Sequence, residues 1–319
     1  MRPALVLSIL LLGSCRSETI RTPDPVTVVP DLPVPLLAHH AAVVDGDVFV
    51  LGGASDDSEG VRFDRFDPSS GNWIRLPDLE TPRFFAGVAA LDGKLYVGGG
   101  VRSDAVFEEY DPGTNTWRRL PDLPTPRNRL RAVACAGRIW MIGGMQATDE
   151  GLTDRPTVES YDPARGTWRT EPSLNHARHG HAAVVLDGRI LVLGGSDGDG
   201  TGEILDPDDG AWREGAAVGR HLLFHEAAAL EDRVFVFGSR DDPPIPLDAY
   251  DPRADRWERV EEHSISRHRL ASVVLGSRVF LLGGENNVGA PHVLGDVASY
   301  DARSAAWSGD RGPTGEPDE

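Results

Sequence analysis

Short apolar runs alternate with tight polar punctuation along almost the whole chain. His181–Trp212 shows the unit well: HAAVVLDGRILVLGG, then SDGDGTGE, then ILDPDDGAW. Two apolar runs flank Asp187-Gly188, a strong signal for a two-residue hairpin. A glycine pair ends the second run, where missing side chains let neighbouring backbone come close. A third run ends at Leu205, and an Asp-Pro turn leads to a fourth run carrying Trp212. The same unit recurs around Trp73, Trp117, Trp168, Trp212, Trp257 and Trp307. An Asp-Pro or its relic precedes each tryptophan: Asp67-Pro68, Asp111-Pro112, Asp162-Pro163, Asp206-Pro207, Asp251-Pro252 and Asp301-Ala302. Before those stand Gly52-Gly53, Gly99-Gly100, Gly143-Gly144, Gly194-Gly195, Gly238-Ser239 and Gly283-Gly284. Four strands per repeat, none able to bury both faces alone, predict an all-β, six-bladed propeller of four-stranded antiparallel blades closed into a ring.

The glycine pair, the spaced tyrosine and tryptophan, and Arg178-x-x-His181 before a first strand resemble the Kelch repeat. The resemblance covers about residues 36–307. It departs at Phe66 and Leu205, which replace the tyrosine, and at Gly238-Ser239. It implies a disc that usually binds proteins, less often sugars, and occasionally hosts an enzyme. Kelch copper-radical oxidases need tyrosine ligands and a crosslinking cysteine, whereas the five tyrosines here occupy strand positions. No cofactor is expected.

The ends add a second layer. Arg2 followed by the apolar run Ala4–Leu12 has the form of a signal peptide and is too short to span a bilayer. Leu12-Gly13-Ser14-Cys15 resembles a bacterial lipobox, which predicts a signal over 1–14 and acylation at Cys15. The polar stretch over 15–25 reads as a lipidated tether and 308–319 as a disordered acidic tail. The propeller is expected over 26–307. Val26–Leu32 matches Trp73–Leu79 in register, so Val26–Val29 is expected to pair with blade six and close the ring. The implied location is exported and lipid-anchored in the bacterial envelope, the outer membrane included. Cys135 is the only other cysteine, so no internal disulfide forms in the mature chain.

Net charge of −18 argues against nucleic acid. The membrane is expected to be met only through the lipid, and the chain to act as a monomer. In an alternating propeller the 1–2 and 3–4 connections share one face, and the 2–3 and 4–1 connections share the other. Only the second varies in length, so a ligand is expected there. Repeats 3 and 6, opposite in the ring, have the longest 2–3 loops and paired arginines: Arg127 with Arg129, and Arg267 with Arg269. Two-residue spacing on a strand points both side chains to one side. With Arg83, Arg178 and His181, these form the candidate ligand-binding set for a protein carboxylate or an acidic glycan. The plainer alternative is that arginine at this register ties loops down.

Other signals carry less. His39, His181 and His225 share a register, and His179 and His221 lie near, but no carboxylate is spaced as a metal partner. Asp197, Asp199, Thr201 and Asp208 imitate a calcium loop that would cut into a strand. Gly194-x-Ser196-x-Gly198 lacks the helix that a nucleophile elbow requires. The leading expectation is an envelope-anchored module that binds a protein or glycan. The alternative is a sugar-handling enzyme resembling the Kelch-type epimerases that act on sialic acid.

Overall fold

In the computed structural model, residues 28–309 are described apart from 56–57, 150, 199, 241–245, 265–266 and 287–291. Signal, Cys15, tether and most of the acidic tail lie outside the described residues. Six antiparallel sheets form the blades, each in the strand order of its own sequence. Blade 1 joins Leu37–Val44, Asp47–Ser55, Phe63–Asp67 and Asn72–Arg75; blade 6 joins Ala271–Leu275, Arg278–Asn286, His292–Asp301 and Ala306–Ser308. The innermost strands of blades 2 to 5 are Gly87–Leu91, Arg131–Cys135, Ala182–Leu186 and Glu226–Leu230.

Local chemistry sets this pattern. At the 1–2 turns, Asp45 and Gly46 have φ of 51° and 91°, and Asp187 and Gly188 have 50° and 77°. Two consecutive left-handed residues define the hairpin turn whose twist suits the flanking strands. Packing then joins neighbours. Val48, Val50 and Phe66 of blade 1 share a buried cluster with Val273, Phe280 and Leu282 of blade 6. The indole N–H of each of several outer-strand tryptophans donates to the linker of the preceding blade: Trp168 to Pro121 O at 2.9 Å, Trp212 to Pro172 O at 2.8 Å and Trp257 to Ala216 O at 2.8 Å.

Ring closure differs from the strand expected over Val26–Val29. The described part, Val28 and Val29, makes no ladder, and Ala306–Ser308 is the outer strand of blade 6. The N-terminal segment instead acts as a sixth linker. Leu32 N–H donates to Gly295 O at 2.7 Å, as Leu79 does to Val61 O and Leu123 to Ala105 O, both at 2.8 Å. Pro30 O accepts the Trp73 indole at 3.1 Å. The register match with Trp73–Leu79 is thus met by its linker half, Leu32 for Leu79.

The loop face is uneven. In blade 3 the 2–3 connection forms a hairpin, Met145–Thr148 with Gly151–Asp154. In blade 6 the middle strands run past the glycine pair, pairing out to Asn286 and His292.

Candidate functional site

Two classes of arginine stand only two residues apart. Arg83, Arg127, Arg178 and Arg267 are buried spokes. Each reaches into the start of its own 2–3 connection, where carbonyls have left the ladder and need donors. Arg83 donates to Gly99 O and Val106 O at 3.0 Å and pairs with Glu108. Arg127 donates to Gly143 O at 2.9 Å and Met141 O at 3.0 Å, and meets Glu159 at 2.5 Å. Arg178 meets Gly194 O and Asp197 at 2.7 Å and Glu203 at 2.9 Å, and Arg267 meets Asp296 at 2.7 Å. Burial pulls the Arg127 guanidinium down from its ordinary pKa while Glu159 opposes the shift. These four therefore hold loops, and they do not reach a ligand-facing surface.

Arg129 and Arg269 behave differently for a backbone reason. The innermost strands begin only at Arg131 and Ala271, so strand alternation does not govern Arg127–Arg129 or Arg267–Arg269. Ala38, Phe85, Arg129, Gly180, Phe224 and Arg269 occupy equivalent places, all left-handed, with φ of 54°, 51°, 53°, 61°, 55° and 53°. Their backbones close a hydrogen-bonded circle around the axis. Phe85 N–H donates to Ala38 O at 3.3 Å, Arg129 to Phe85 at 2.8 Å, and Gly180 to Arg129 at 3.2 Å. Phe224 donates to Gly180 at 2.8 Å, Arg269 to Phe224 at 2.9 Å, and Ala38 to Arg269 at 2.8 Å. Left-handed non-glycine residues cost about 1–2 kcal/mol each, which this circle offsets.

The side chains of the circle read small, Phe, Arg, twice round the ring. Phe85 and Phe224 meet across the axis with centroids 5.3 Å apart. The Arg129 guanidinium lies 5.2 Å from the Phe85 ring, and that of Arg269 lies 5.8 and 5.4 Å from Phe85 and Phe224. Arg269 pairs with Glu285 at 2.8 Å. Arg129 bonds Asn128 Oδ1 at 3.1 Å and nears Met145 Sδ at 3.5 Å; among the described residues it has no carboxylate within ion-pair distance. Burial first, then the Arg269 charge, hold Arg129 below its ordinary pKa. The mouth thus holds two cations around an aromatic plug, with Glu285 ion-paired to one of them and Asp154 acting on the other from farther off.

At its edge, His179 Nδ1 and Asp154 Oδ1 are 2.7 Å apart, and Ser196 Oγ donates to the other Asp154 oxygen. The carboxylate lies between serine and histidine, so the Ser196 hydroxyl faces Asp154 and not the imidazole that a serine–histidine–acid triad sets against its nucleophile. Its Gly-x-Ser-x-Gly context enters bends and then the strand Gly202–Asp206.

His181 lies away from the mouth. Its Cε1 stands 2.7 Å from where a Cβ on Gly143 would be, as His39 does at Gly283 (3.0 Å) and His225 at Gly194 (2.8 Å). In these three pairs the first glycine makes room for the next blade's histidine. Burial lowers these imidazoles to about 4 for His39, to about 3 for His225, and well below the usual value for His181. Among the described residues no three His, Cys, Asp or Glu side chains converge as a metal site. Asp197 is engaged by Arg178 and by Thr201 Oγ1 at 2.6 Å.

Below the circle, the channel holds residues outside the sequence-derived set: His40, Arg131, Glu226 and Ser272 line a cavity of about 140 Å³. Arg131 meets Glu226 at 2.6 Å and donates to His181 O at 2.7 Å and His225 O at 3.0 Å. Ser272 Oγ donates to Glu226 at 3.2 Å. The signal was present: the column of the first three reads His40, Gly87, Arg131, Ala182, Glu226, Ala271, large and polar where its sisters are small.

Comparison with known proteins joins this geometry to a family. A model described as the KLHDC2/KLHL20/DRC7 Kelch-repeats domain matches residues 14–195, more than half of the chain, and the Kelch motif matches 177–218. The chain belongs to the Kelch-repeat family. Kelch-like protein 34 of Homo sapiens is 29% identical over 79% of this chain and 35% of its own length. Kelch-like protein 33 of Homo sapiens is 30% identical over 54% of this chain and 24% of its own. Alpha-scruin of Limulus polyphemus is 28% identical over 54% and 15% respectively. This Kelch chain therefore spans about a third or less of these relatives. A solved structure titled "Structure of YjhT" superposes with a TM-score of 0.73 at 18% identity, over 88% of this chain and 99% of that one. At such identity the likeness shows the fold.

Proposed function

We propose that this Kelch propeller is an envelope-anchored binding module whose mouth takes an acidic group of a protein or glycan. The observation that carries the reading is Arg129. It is a partly buried guanidinium stacked on Phe85, near a second cation, with Asp154 acting on it only from beyond ion-pair distance and no carboxylate within that distance among the described residues. A ligand carboxylate placed there gains charge-assisted hydrogen bonds in a partly desolvated setting and relieves the repulsion between the arginines. Kelch propellers typically bind proteins, which agrees with a partner at the loop face.

The test uses residues 16–319 against immobilised acidic oligosaccharides and acidic peptides. Binding is expected to fall at least about tenfold, or roughly 1.4 kcal/mol, in Arg129→Ala with Arg269→Ala. Binding unchanged by both substitutions sinks the acidic-group reading. The anchoring half rests on Leu12-Gly13-Ser14-Cys15 and on the stability that several acyl chains give. Cys15→Ser is expected to release the protein from membranes, and retention would show another anchor.

The His179–Asp154 pair favours a second reading. An imidazole oriented by a carboxylate can move protons on a sugar acid held by the arginines. NMR of sialic acid epimers with and without the protein tests it: exchange accelerated by the wild type and lost in His179→Ala supports an enzyme.

A further inference from the structure

The channel beneath the plug carries a different chemistry from the mouth. Two residues inward from the circle, alternate blades contribute His40, Arg131 and Glu226, and the small side chains of Ala41, Ala132, Ala183 and Ala227 leave space between them. The resulting chamber of about 140 Å³ far exceeds the roughly 10–15 Å³ that one water needs. It admits a solute of several heavy atoms.

Its hydrogen-bonding groups are only partly used. His40 Nε2 accepts from Ala86 N–H at 2.8 Å, which places the imidazole proton on Nδ1. Arg131 spends Nε on His181 O and Nη2 on His225 O and Glu226. Glu226 Oε1 faces Arg131 as an ion pair and takes no aligned hydrogen bond. An N–H donor, further guanidinium N–H groups and a carboxylate acceptor thus converge on one space.

Charge decides what fits. One guanidinium stands 2.6 Å from one carboxylate, burial raising the Glu226 pKa and the Arg131 charge opposing that shift, and burial keeps the lining histidines His39 and His40 neutral. An anion would meet Glu226 in a medium of low dielectric, and a cation would meet Arg131; either is strongly opposed. A neutral molecule with several hydroxyls satisfies both partners and sets its C–H groups against Ala41, Ala132 and Ala183. Phe85 and Phe224 close the end toward the mouth. Toward the tight-turn face the innermost strands carry Val43, Ala90, Ala134, Val185, Ala229 and Val274, all only partly buried.

We propose that this chamber is a binding site for a small uncharged polyol, which enters from the tight-turn face. Its hydroxyl oxygens accept from His40 Nδ1 and Arg131, and its hydroxyl protons go to Glu226. The site is separate from the mouth and does not rest on the acidic-group reading.

Calorimetric titration with erythritol is expected to show saturable binding in the millimolar range. Succinate, similar in length but dianionic, is expected to give no saturable heat. Ala183→Leu, which fills the chamber with methyl groups, should weaken erythritol at least tenfold. The pair Arg131→Met with Glu226→Gln keeps the chamber neutral and should abolish binding; if it fails to fold, Ala183→Leu carries the test. The proposal is overturned by absent saturable heat with erythritol, by succinate binding in its place, or by Ala183→Leu titrating like the wild type.

Discussion

Arg127 and Arg129 are the same residue type two positions apart, yet one belongs to the fold and the other to the mouth. Arg127 is sealed between Glu159 and carbonyls freed where the second strand ends. Arg129 sits in the left-handed circle with its guanidinium against an aromatic ring. Arg267 and Arg269 repeat the contrast on the opposite blade. A charge in a propeller is assigned by its place along the chain: a buried carboxylate and freed carbonyls claim one arginine, and a left-handed turn releases the next. The chemistry open to a ligand lies where the chain leaves its repeating conformation.

The sharpest way to break this contrast is Arg127→Ala. The substitution leaves Glu159 buried without its cation and Gly143 O and Met141 O without donors. Removing one member of a buried pair costs about 3–5 kcal/mol. Urea denaturation should show a loss of that order with the m-value unchanged. A loss below about 1 kcal/mol would mean that the spokes are exchangeable with solvent and that the two classes are one.

A smaller effect tests whether the interblade histidines belong with the spokes. His225 is held neutral, by burial first and then by Arg131 and Arg220, with a value of about 3. The unfolded chain binds that proton near pH 6.5, so the native state loses stability as pH falls below 6.5 and goes on losing it toward 3. Between pH 7.5 and 5.5 this one imidazole contributes a loss of about 1.4 kcal/mol. Leucine stands at the same register in blades 3 and 6, as Leu130 and Leu270. His225→Leu should therefore fold and lose about that much less on acidification. Equal acid sensitivity in the variant would show that the titration arises elsewhere.

The contrast also explains what could be read from the chain alone. Glycine pairs, Asp-Gly turns and the tryptophan period each answer to one local rule, and together they dictate six four-stranded blades. The loop asymmetry of repeats 3 and 6 was visible as extra residues between fixed marks. What the sequence left hidden depends on non-local geometry. Two-residue spacing suggested that Arg127 and Arg129 share a side, because nothing local marks Arg129 as left-handed; the circle of hydrogen bonds from five other blades imposes it. Val26–Val29 resembled a strand because Val26–Leu32 copies Trp73–Leu79, and the copied feature used by the described residues is the linker. The chamber went unseen because His40, Arg131 and Glu226 come from alternate blades, and only alignment on the circle brings them into one column.

The smallest expected effect on stability is the most informative about the mouth. Arg129→Ala removes a cation–π contact worth about 0.5–1 kcal/mol and also removes repulsion with Arg269, so its unfolding midpoint should stay close to that of the wild type. Ligand binding should nevertheless fall, because the guanidinium lacking an acid partner is the group that an incoming carboxylate meets. Arg129→Lys separates charge from shape: an ammonium keeps the charge but offers neither the planar fork nor the flat face that stacks on Phe85. Titration of the acidic ligand against the three proteins should rank arginine above lysine and lysine above alanine, with near-equal urea midpoints. Lysine binding as tightly as arginine would reduce the mouth to a point charge, and the aromatic plug would then serve only to close the channel.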